Sequence, residues 1–280
     1  MFIQKRTTLL NDRFKNALVT GASSGLGRSF AKMLLDEGLE VWATSRDPDR
    51  LFTHPRMHPM KLDLSDPDDT ELFAQRILAE VGELDLLVNN AGYGAFYPFE
   101  RFPGEEISGQ LNVLLSGPIL LCREIYAHMK ARGRGAVVNV SSLASEFPIP
   151  CFSIYNSAKA GLSAFSRSLI LEAAGSGVVI IDLQPGDFRT AFNEKVCRDI
   201  SEELPESMQR TWEKIEKHMK NSPEAEKAAQ ALQRLLRRPR SGTYRIGGFF
   251  QVRMGPFLAR FLPQRAVRSF LRCYYGLPRR

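Results

Sequence analysis

The residues Thr20-Gly21-Ala22-Ser23-Ser24-Gly25-Leu26-Gly27 decide the fold of this chain. An apolar run of strand length precedes them, and an amphipathic run of helix length follows them. Gly21 permits a tight turn, Gly25 lets the backbone approach a pyrophosphate, and Gly27 lets the helix pack close to the strand. The helix start offers free amides and a positive dipole end to phosphate groups. The stretch therefore predicts a strand, a phosphate-binding turn and a helix, with Gly21 and Ser23–Gly27 contacting a dinucleotide.

The same alternation of strand and helix continues along most of the chain. Strands are predicted at Asn16–Thr20, Glu40–Thr44, Met60–Asp63, Leu84–Asn89, Ala136–Ser141 and Val178–Gln184. Helices are predicted at Leu26–Glu37, after Asp66, and at Tyr155–Ala174. This order is typical of an α/β protein with a single doubly wound (Rossmann) domain, in which helices flank a parallel sheet. Because such sheets bind ligands beyond the carboxyl ends of their strands, polar residues that directly follow strands are the candidate site.

Ser45 and Arg46 directly follow the second predicted strand, where the two nicotinamide dinucleotides are distinguished. An NAD site would place Asp or Glu here to accept hydrogen bonds from the ribose 2′-hydroxyl. Arg46 instead favours a 2′-phosphate, through charge-assisted hydrogen bonds of about 1.5–3 kcal/mol each. The alternative is a solvated arginine at a strand end. We predict NADP(H) as the cofactor.

Two further strand ends complete the predicted cofactor site. Asp63 and Leu64 follow the third strand and reach the adenine edge. Asn90, Ala91 and Gly92 follow the fourth strand and supply a floor of small residues beneath the adenosine.

Ser142, Tyr155 and Lys159 are the candidate catalytic residues. Tyr155 and Lys159 are four residues apart, so they lie on one face of the predicted helix. A lysine cation beside a phenol lowers the phenol pKa from about 10, which allows proton exchange near neutral pH. Ser142 closes a predicted strand thirteen residues earlier, where its hydroxyl can hold a substrate oxygen opposite Tyr155. Taken singly, such a pair can arise by chance, and such a serine is commonly only a strand-end hydroxyl.

Together these motifs resemble the classical short-chain dehydrogenase/reductase family. The stretches TGASSGLG, Asp63-Leu64, NNAG, Ser142, YNSAK and Pro185-Gly186…Thr190 occur in the order and spacing of that family, over roughly residues 15–190. Within it, VWATSRD and the long segment after Pro185-Gly186 are most similar to the hydroxysteroid and retinol dehydrogenase branch.

The resemblance implies a role for each matching residue. Ser142 orients the substrate carbonyl and Tyr155 transfers the proton. Lys159 lowers the phenol pKa and holds the nicotinamide ribose. A second group lies along the nicotinamide, namely Pro185, Gly186 and Thr190.

One position departs from the family pattern. The family usually has an asparagine in a pattern like Q-L-x-V-N-x-x-G-P, where a helix kink and a water link it to the lysine. Aligned on Gly117-Pro118, this position is Leu114. Asn112 comes two residues early and points about 200° away on an α-helix, so it is not assigned the role. A proton relay through another water path, slow turnover and cofactor binding without catalysis all remain open.

Five segments are expected along the chain. Residues 1–15 are an N-terminal extension, 16–190 the dinucleotide-binding and catalytic core, 191–223 a substrate-lid insertion, 224–250 the last helix and strand of the core, and 251–280 a basic amphipathic segment. The first fifteen residues lack the apolar core of a signal peptide. Four cysteines form neither a CxxC pair nor a metal-ligand cluster, which is typical of a reducing compartment. We expect a cytoplasmic protein without a metal site.

The positive charge of the chain is concentrated near its end. The net charge is +7, yet the stretch from Lys227 to Arg280 holds thirteen Lys or Arg and no Asp or Glu. This distribution differs from a nucleic-acid footprint spread over a domain, and we expect no nucleic-acid partner. The last predicted helix separates an apolar face from a basic one, with Val267, Phe270, Leu271 and Tyr274 opposite Arg265, Arg268 and Arg272.

Two structures fit this C-terminal pattern equally well. A basic amphipathic segment can lie on an anionic membrane surface as a peripheral anchor. It can equally pack as a lid over the cleft or against a partner subunit, with its arginines solvated. Both favour a lipophilic substrate. Oligomeric state stays open, since family members form dimers and tetramers through the helices around Gly117 and Tyr155.

The sequence predicts an NADP(H)-dependent oxidoreductase that interconverts a lipophilic ketone or aldehyde with an alcohol. A steroid, a retinoid and a long-chain keto compound are the expected substrate types. The alternative is a catalytically weak or inactive protein that binds NADP(H) as a sensor, and Leu114 is the residue that motivates it.

Overall fold

A parallel β-sheet runs through the centre of the molecule. The computed structural model describes residues 10–190, 192, 196–198 and 204–278, and within them this sheet has seven strands in the order β3-β2-β1-β4-β6-β7-β9. Its strands are β1 (Asn16–Val19), β2 (Glu40–Ser45), β3 (Met57–Lys61), β4 (Leu86–Asn89), β6 (Gly135–Val140), β7 (Val178–Pro185) and β9 (Gly242–Ile246), and β5 (Ala95–Phe96) pairs with β8 (Cys197–Arg198) apart from it. The order reverses between β1 and β4, which confirms the doubly wound fold.

Helices cover both faces of the sheet. They are α1 (Gly25–Asp36), α2 (Pro67–Val81), α3 (Gly104–Leu111), α4 (Gly117–Arg132), α5 (Ser153–Glu172), α6 (Glu206–Lys220), α7 (Ala225–Arg237), α8 (Gly255–Ala259) and α9 (Gln264–Tyr274). Residues of α1 and α7 share one core with the sheet, and residues of α2, α4 and α5 share the other. The side chains of β1 alternate between the cores, with Ala17 and Val19 in the first and Leu18 in the second. Both faces of the strands are buried, which explains their continuous apolar runs.

Local signals set the helix ends. The Asp66 side chain accepts hydrogen bonds from the amides of Asp68 at 3.0 Å and Asp69 at 3.2 Å, so α2 begins directly after it. Helix α4 ends at Gly133, which adopts the left-handed conformation with φ +68°.

The predicted start of the third strand is wrong. We expected it at Met60, but the strand begins at Met57, where it pairs with Val41 of β2. The polar residue His58 belongs to the strand because its ring stacks on Trp42 at 4.4 Å and its Nε2 lies 2.8 Å from Glu40 Oε2. These partners come from the neighbouring strand, so an apolar run alone does not reveal them. The other five predicted strands differ from the observed bounds by one or two residues, and β9 was expected only as a strand within residues 224–250.

Thr20 connects the loop after β1 to the loop after β4, at the point where the strand order reverses. Thr20 Oγ1 accepts hydrogen bonds from the amides of Asn90 at 2.9 Å and Ala91 at 3.0 Å, and Asn90 Nδ2 donates to the Thr20 carbonyl at 3.0 Å. A Cβ on Gly27 would lie 2.3 Å from both Asn90 Nδ2 and the Gly21 carbonyl oxygen. Only glycine fits at position 27, so the loop after β1 packs closely against the loop after β4.

The later part of the chain adds structure beyond the carboxyl ends of the strands. Trp212 of α6 packs on Phe96 of β5 with ring centroids 5.1 Å apart. After β9, a π-helical turn (Phe250–Met254) leads into α8 and α9. Residues 1–9 of the N-terminal extension, 191, 193–195 and 199–203 of the expected insertion, and 279–280 of the tail lie outside the described residues. In the described part of the chain, no helix has the length and apolar character needed to span a bilayer.

Candidate active site

A cavity of about 790 Å³ lies along the carboxyl ends of the strands. It extends from the glycine loop, past the end of β6 and the start of α5, to the C-terminal helices. It is bordered by nearly all of the predicted site residues, namely Gly21, Ser23, Ser24, Gly25, Leu26, Ser45, Arg46, Asp63, Leu64, Asn90, Ala91, Gly92, Ser142, Tyr155, Lys159, Pro185, Gly186 and Thr190. Gly27 is not among the lining residues, because it packs beneath the loop against Asn90.

The N-terminus of α1 fits a phosphate group. Gly25 and Leu26 open this helix and line the cavity, and its first turn carries no acidic residue. Thr190 adjoins the same point, since a Cβ on Gly25 would lie 3.5 Å from the Thr190 Cβ. A helix start with free amides and no opposing carboxylate is suited to the pyrophosphate of a dinucleotide.

The end of β2 presents two arginines to the cavity. Arg46 was predicted from the sequence, whereas Arg50, in the turn that follows, was missed. Asp47 lies between them, but its carboxylate accepts a hydrogen bond from the Asp49 amide at 3.3 Å. Ser45 is buried, and its Oγ accepts from the Asp47 amide at 3.2 Å. A second arginine within five residues of the strand end was the signal available in the sequence.

The residues after β3 have partly structural roles. Asp63 Oδ1 accepts hydrogen bonds from the amide and the hydroxyl of Ser65, at 3.0 and 2.7 Å. Leu64 is buried against Gly117, where an added Cβ would lie 3.1 Å from the Leu64 Cβ. Both residues also border the cavity, and their contact with adenine stays a prediction.

Ser142, Tyr155 and Lys159 come together at the middle of the cavity. Lys159 is 5% exposed, and its Nζ donates to the Val140 carbonyl at 2.7 Å, at the end of β6. The same Nζ lies 6.0 Å from the Tyr155 ring centroid. Ser142 follows β6, accepts a hydrogen bond from the Ala144 amide at 3.0 Å, and is hydrogen-bonded to Tyr155. All three side chains therefore border the same part of the cavity.

Burial controls the pKa values of this group. It raises the pKa of the Tyr155 phenol, and the hydrogen bond with Ser142 opposes that rise. Burial also lowers the pKa of Lys159 to about 8, with the negative charge of Asp182 acting in the opposite direction. The expectation that Lys159 brings the phenol pKa below its ordinary value is wrong for this arrangement, because desolvation of the phenolate dominates.

Leu114 borders Lys159 where the family pattern has asparagine. It lies in a π-helical turn (Asn112–Ser116) between α3 and α4, fully buried. A Cβ on Gly92 would lie 2.7 Å from Leu114 Cδ2 and 3.8 Å from Lys159 Nζ, so the two side chains flank Gly92. Asn112 is directed elsewhere, since its Nδ2 donates to the Ser65 carbonyl at 3.0 Å. Methyl groups therefore lie beside Lys159 in place of an amide.

The remaining wall of the cavity is mostly apolar. Phe152 and Phe192 lie edge-on to Tyr155, with ring centroids 6.0 and 5.9 Å away. The C-terminal helices and the turn before them contribute a large group that the site prediction did not contain, namely Phe250, Gln251, Gly255, Leu258, Ala259, Leu262, Val267, Phe270, Leu271, Tyr274 and Tyr275. The amphipathic pattern of the last helix was the sequence signal, because its apolar residues are the ones that line the cavity.

The sequence matches a known family over two thirds of its length. Residues 15–201 match the family model described as short chain dehydrogenase. This chain belongs to the short-chain dehydrogenase family. As a member of that family it is an oxidoreductase, and the resemblance noted from its motifs is confirmed at family level. Neither the family match nor the relatives below distinguish the hydroxysteroid and retinol branch.

Individual relatives cover most of the chain. It is 29% identical to a 3-ketodihydrosphingosine reductase of Bacteroides thetaiotaomicron over 273 residues, which are 93% of this chain and 97% of that protein. It is 32% identical to an NADPH-dependent 1-acyldihydroxyacetone phosphate reductase of Schizosaccharomyces pombe, over 69% of this chain and 67% of that one. A short-chain dehydrogenase structure from Streptomyces avermitilis superposes with a TM-score of 0.77 at 30% identity, covering 94% of this chain and 96% of that one.

The buried amine of Lys159 predicts a pH dependence of stability. Its pKa is about 8 in the folded protein, against an ordinary value of 10.5. Between these values the unfolded chain binds the additional proton, so the free energy of unfolding should rise with pH by up to about 3 kcal/mol. Lys159→Met has no titrating amine and should lack this rise. Urea unfolding of both proteins from pH 7.5 to 10.5 measures the difference, and parallel curves would contradict the assignment.

Proposed function

We propose that the protein reduces a long-chain or similarly apolar ketone or aldehyde to the alcohol, with NADPH as the reductant. One observation carries the proposal. A single cavity joins the glycine loop and Arg46 to Ser142, Tyr155 and Lys159, and then to an apolar wall built by the C-terminal helices. A cofactor and a lipophilic substrate can therefore meet beside the phenol. We also propose that α6, within the expected insertion, is part of a lid, since Ile215 and Met219 line this cavity.

The side chains divide the reaction between them. When bound, NADPH would supply the hydride that the carbonyl carbon accepts. Ser142 and Tyr155 hold the carbonyl oxygen by hydrogen bonds, and Tyr155 gives it the phenolic proton. The raised pKa of Tyr155 keeps the phenol protonated at neutral pH, which suits a proton donor. Lys159, at the Val140 carbonyl, places a positive charge behind the phenol and opposes the negative charge that proton loss creates.

Two observations support NADP(H) over NAD(H). Arg46 and Arg50 both border the cavity at the end of β2, while the Asp47 carboxylate is engaged with the Asp49 amide. Two guanidinium groups favour the 2′-phosphate, which is the group that distinguishes the cofactors. The name of the fission yeast relative also gives NADPH as its cofactor.

The lining of the cavity supports a long chain over the alternatives of a steroid or a retinoid. The apolar wall follows α8 and α9 outward, from Tyr274 to Leu258 and Leu262, which are both partly solvent-exposed. An extended chain can occupy such a channel along its length. Two relatives carry the names of reductases of lipid ketones, the 3-ketodihydrosphingosine and 1-acyldihydroxyacetone phosphate enzymes.

The exposed end of this channel supports a second proposal, binding to an anionic membrane surface. Apolar side chains there form what we call the C-terminal apolar patch, which consists of Phe249, Phe250, Met254, Phe257, Leu258, Phe261, Leu262 and Phe270. Phe257 and Phe261 are 64% and 70% exposed. Exposed arginines accompany the patch, namely Arg253, Arg260, Arg265, Arg268 and Arg272. Aromatic rings with arginines are suited to the bilayer interface, and each arginine contributes about 1 kcal/mol near anionic lipid.

The catalytic proposal predicts the effect of removing one hydroxyl. Tyr155→Phe keeps the ring, so NADPH binding should persist while turnover of dodecan-3-one falls by roughly 10²–10⁴-fold. NADPH absorbance follows the reaction, and calorimetry follows binding. If the Phe variant retains the original rate, the proton comes from another group. If the unaltered protein binds NADPH but turns over no ketone or aldehyde, the sensor function replaces the enzyme.

The cofactor proposal predicts a preference that depends on Arg46. Binding of NADPH should be tighter than binding of NADH by about tenfold or more, which corresponds to about 1.4 kcal/mol. Arg46→Ala should erode this preference and leave NADH binding nearly unchanged. Arg28→Ala is the control, because that guanidinium stacks on Phe52 at 5.2 Å and does not line the cavity. Equal affinity for both cofactors in the unaltered protein would disprove the assignment.

The membrane proposal predicts salt-sensitive co-sedimentation with vesicles that contain acidic lipid. Phe257→Ser combined with Phe261→Ser should release the protein, since both rings are exposed and neither lines the cavity. Leu171→Ser is the control, an exposed leucine on α5. Binding should weaken when the salt concentration is raised from about 0.1 M to about 1 M, because the electrostatic screening length falls from about 10 Å to about 3 Å. If the unaltered protein stays in the supernatant at low salt, or the double variant sediments equally, the patch has another role.

A further inference from the structure

A carboxylate that the proposed reaction does not use lies in the cavity near Tyr155. Asp187 directly follows Pro185-Gly186 and borders the cavity together with Tyr155 and Tyr274. Gln251, in the π-helical turn (Phe250–Met254), holds it from the opposite wall. Gln251 Nε2 donates to Asp187 Oδ2 at 2.6 Å, and Gln251 Oε1 accepts from the Asp187 amide at 3.1 Å. The carboxylate therefore has a defined position between β7 and the C-terminal helices.

The charge of Asp187 is not neutralised by the surrounding side chains. Burial raises its pKa, against smaller lowering effects of the Gln251 hydrogen bond and of His218. Burial also lowers the pKa of His218, which favours the neutral imidazole. Across residues 10–190, 192, 196–198 and 204–278, no lysine or arginine forms a salt bridge with Asp187. Asp187 is partly buried. A carboxylate largely removed from water without a cation is unfavourable, and a ligand that brings a positive charge would stabilise it.

The carboxylate lies near the reacting end of the cavity. Its negative charge raises the pKa of Tyr155, and it has the same effect on Tyr274 and Tyr275. The surroundings are aromatic and apolar, since Phe188 and Tyr275 are buried and Leu271 lines the adjacent wall. Charges interact strongly in such surroundings, so this carboxylate attracts a cation on the substrate and repels an anion such as a phosphate.

We infer that Asp187 is a specificity-determining residue that receives a primary ammonium group carried next to the reacting carbonyl, so that the substrate class is a long-chain amino ketone. The inference rests on the proposed function and adds the polar group of the substrate to it. The apolar chain extends along α8 and α9, and the ammonium lies against Asp187. A phosphate-bearing ketone is disfavoured at the same place.

Two ketones that differ only in the amine test this inference. With NADPH, the unaltered protein should reduce 2-aminododecan-3-one with a kcat/KM about tenfold or more above that for dodecan-3-one, mainly through a lower KM. Asp187→Asn retains an oxygen that can accept the Gln251 hydrogen bond but carries no charge. Because the Asp187 charge also acts on Tyr155, the quantity compared is the ratio of kcat/KM for the amino ketone to kcat/KM for dodecan-3-one, which the substitution should bring close to one. Asp36→Asn, at the exposed end of α1, is the matched control and should change neither value.

A binding measurement separates this inference from the proposed function. In the presence of NADP⁺, calorimetry compares 2-aminododecan-3-ol with dodecan-3-ol on the unaltered protein and on Asp187→Asn. If neither ketone is reduced but the amino alcohol binds about tenfold or more tightly only when Asp187 is present, the proposed function fails and the ammonium site stands. If the amine gives no advantage in turnover or in binding, or if Asp187→Asn keeps the advantage, Asp187 does not select the substrate.

Discussion

The buried ammonium of Lys159 is the group around which the catalytic end of the cavity is arranged. Its Nζ donates to the Val140 carbonyl at 2.7 Å, and the charge of Asp182 supports its protonated form. Removing an ammonium ion from water is unfavourable and lowers the pKa of Lys159 to about 8, and the negative charge of Asp182 opposes this fall. Both partners belong to neighbouring strands, β6 and β7. Ser142 directly follows β6, and Tyr155 lies one turn before Lys159 on α5. The contact of Lys159 with the end of β6 therefore brings Ser142 and Tyr155 next to each other.

Motifs that depend on local backbone geometry could be predicted from the sequence. The glycine loop needs a strand before it and a helix after it, and apolar periodicity reveals both. The helix places Tyr155 and Lys159 on one face, as their spacing requires. What depends on a neighbouring element was missed or misplaced. The third strand begins at Met57 because of its register with β2, and Gly27 packs against Asn90 from the loop after β4.

The cavity walls were the least predictable part of the site. They combine Asp187 after β7 with Gln251 and the helices beyond it, which are far apart in the chain. The sequence left a lid and a membrane anchor as alternatives for the tail. Its structure accommodates both, because Val267 and Leu271 face the cavity while Phe257 and Phe261 face solvent. An amphipathic pattern predicts one apolar face on each helix. It does not show that one part of the C-terminal segment contacts the cavity while another part faces solvent.

The proton balance of the proposed reduction explains how Leu114 is compatible with catalysis. Each turnover takes a proton from Tyr155, and that proton must be replaced. The side chain of Leu114 has no hydrogen-bonding atom, and the Nζ of Lys159 is bonded to the Val140 carbonyl. Ser142, hydrogen-bonded to Tyr155, borders the cavity. If the phenolic proton is replaced through Ser142, it must come from water in the cavity. Water can enter as the alcohol leaves, so replacement of the proton is coupled to release of the product. The raised pKa of the phenol makes recapture of the proton favourable at neutral pH, so a relay behind Lys159 is not required.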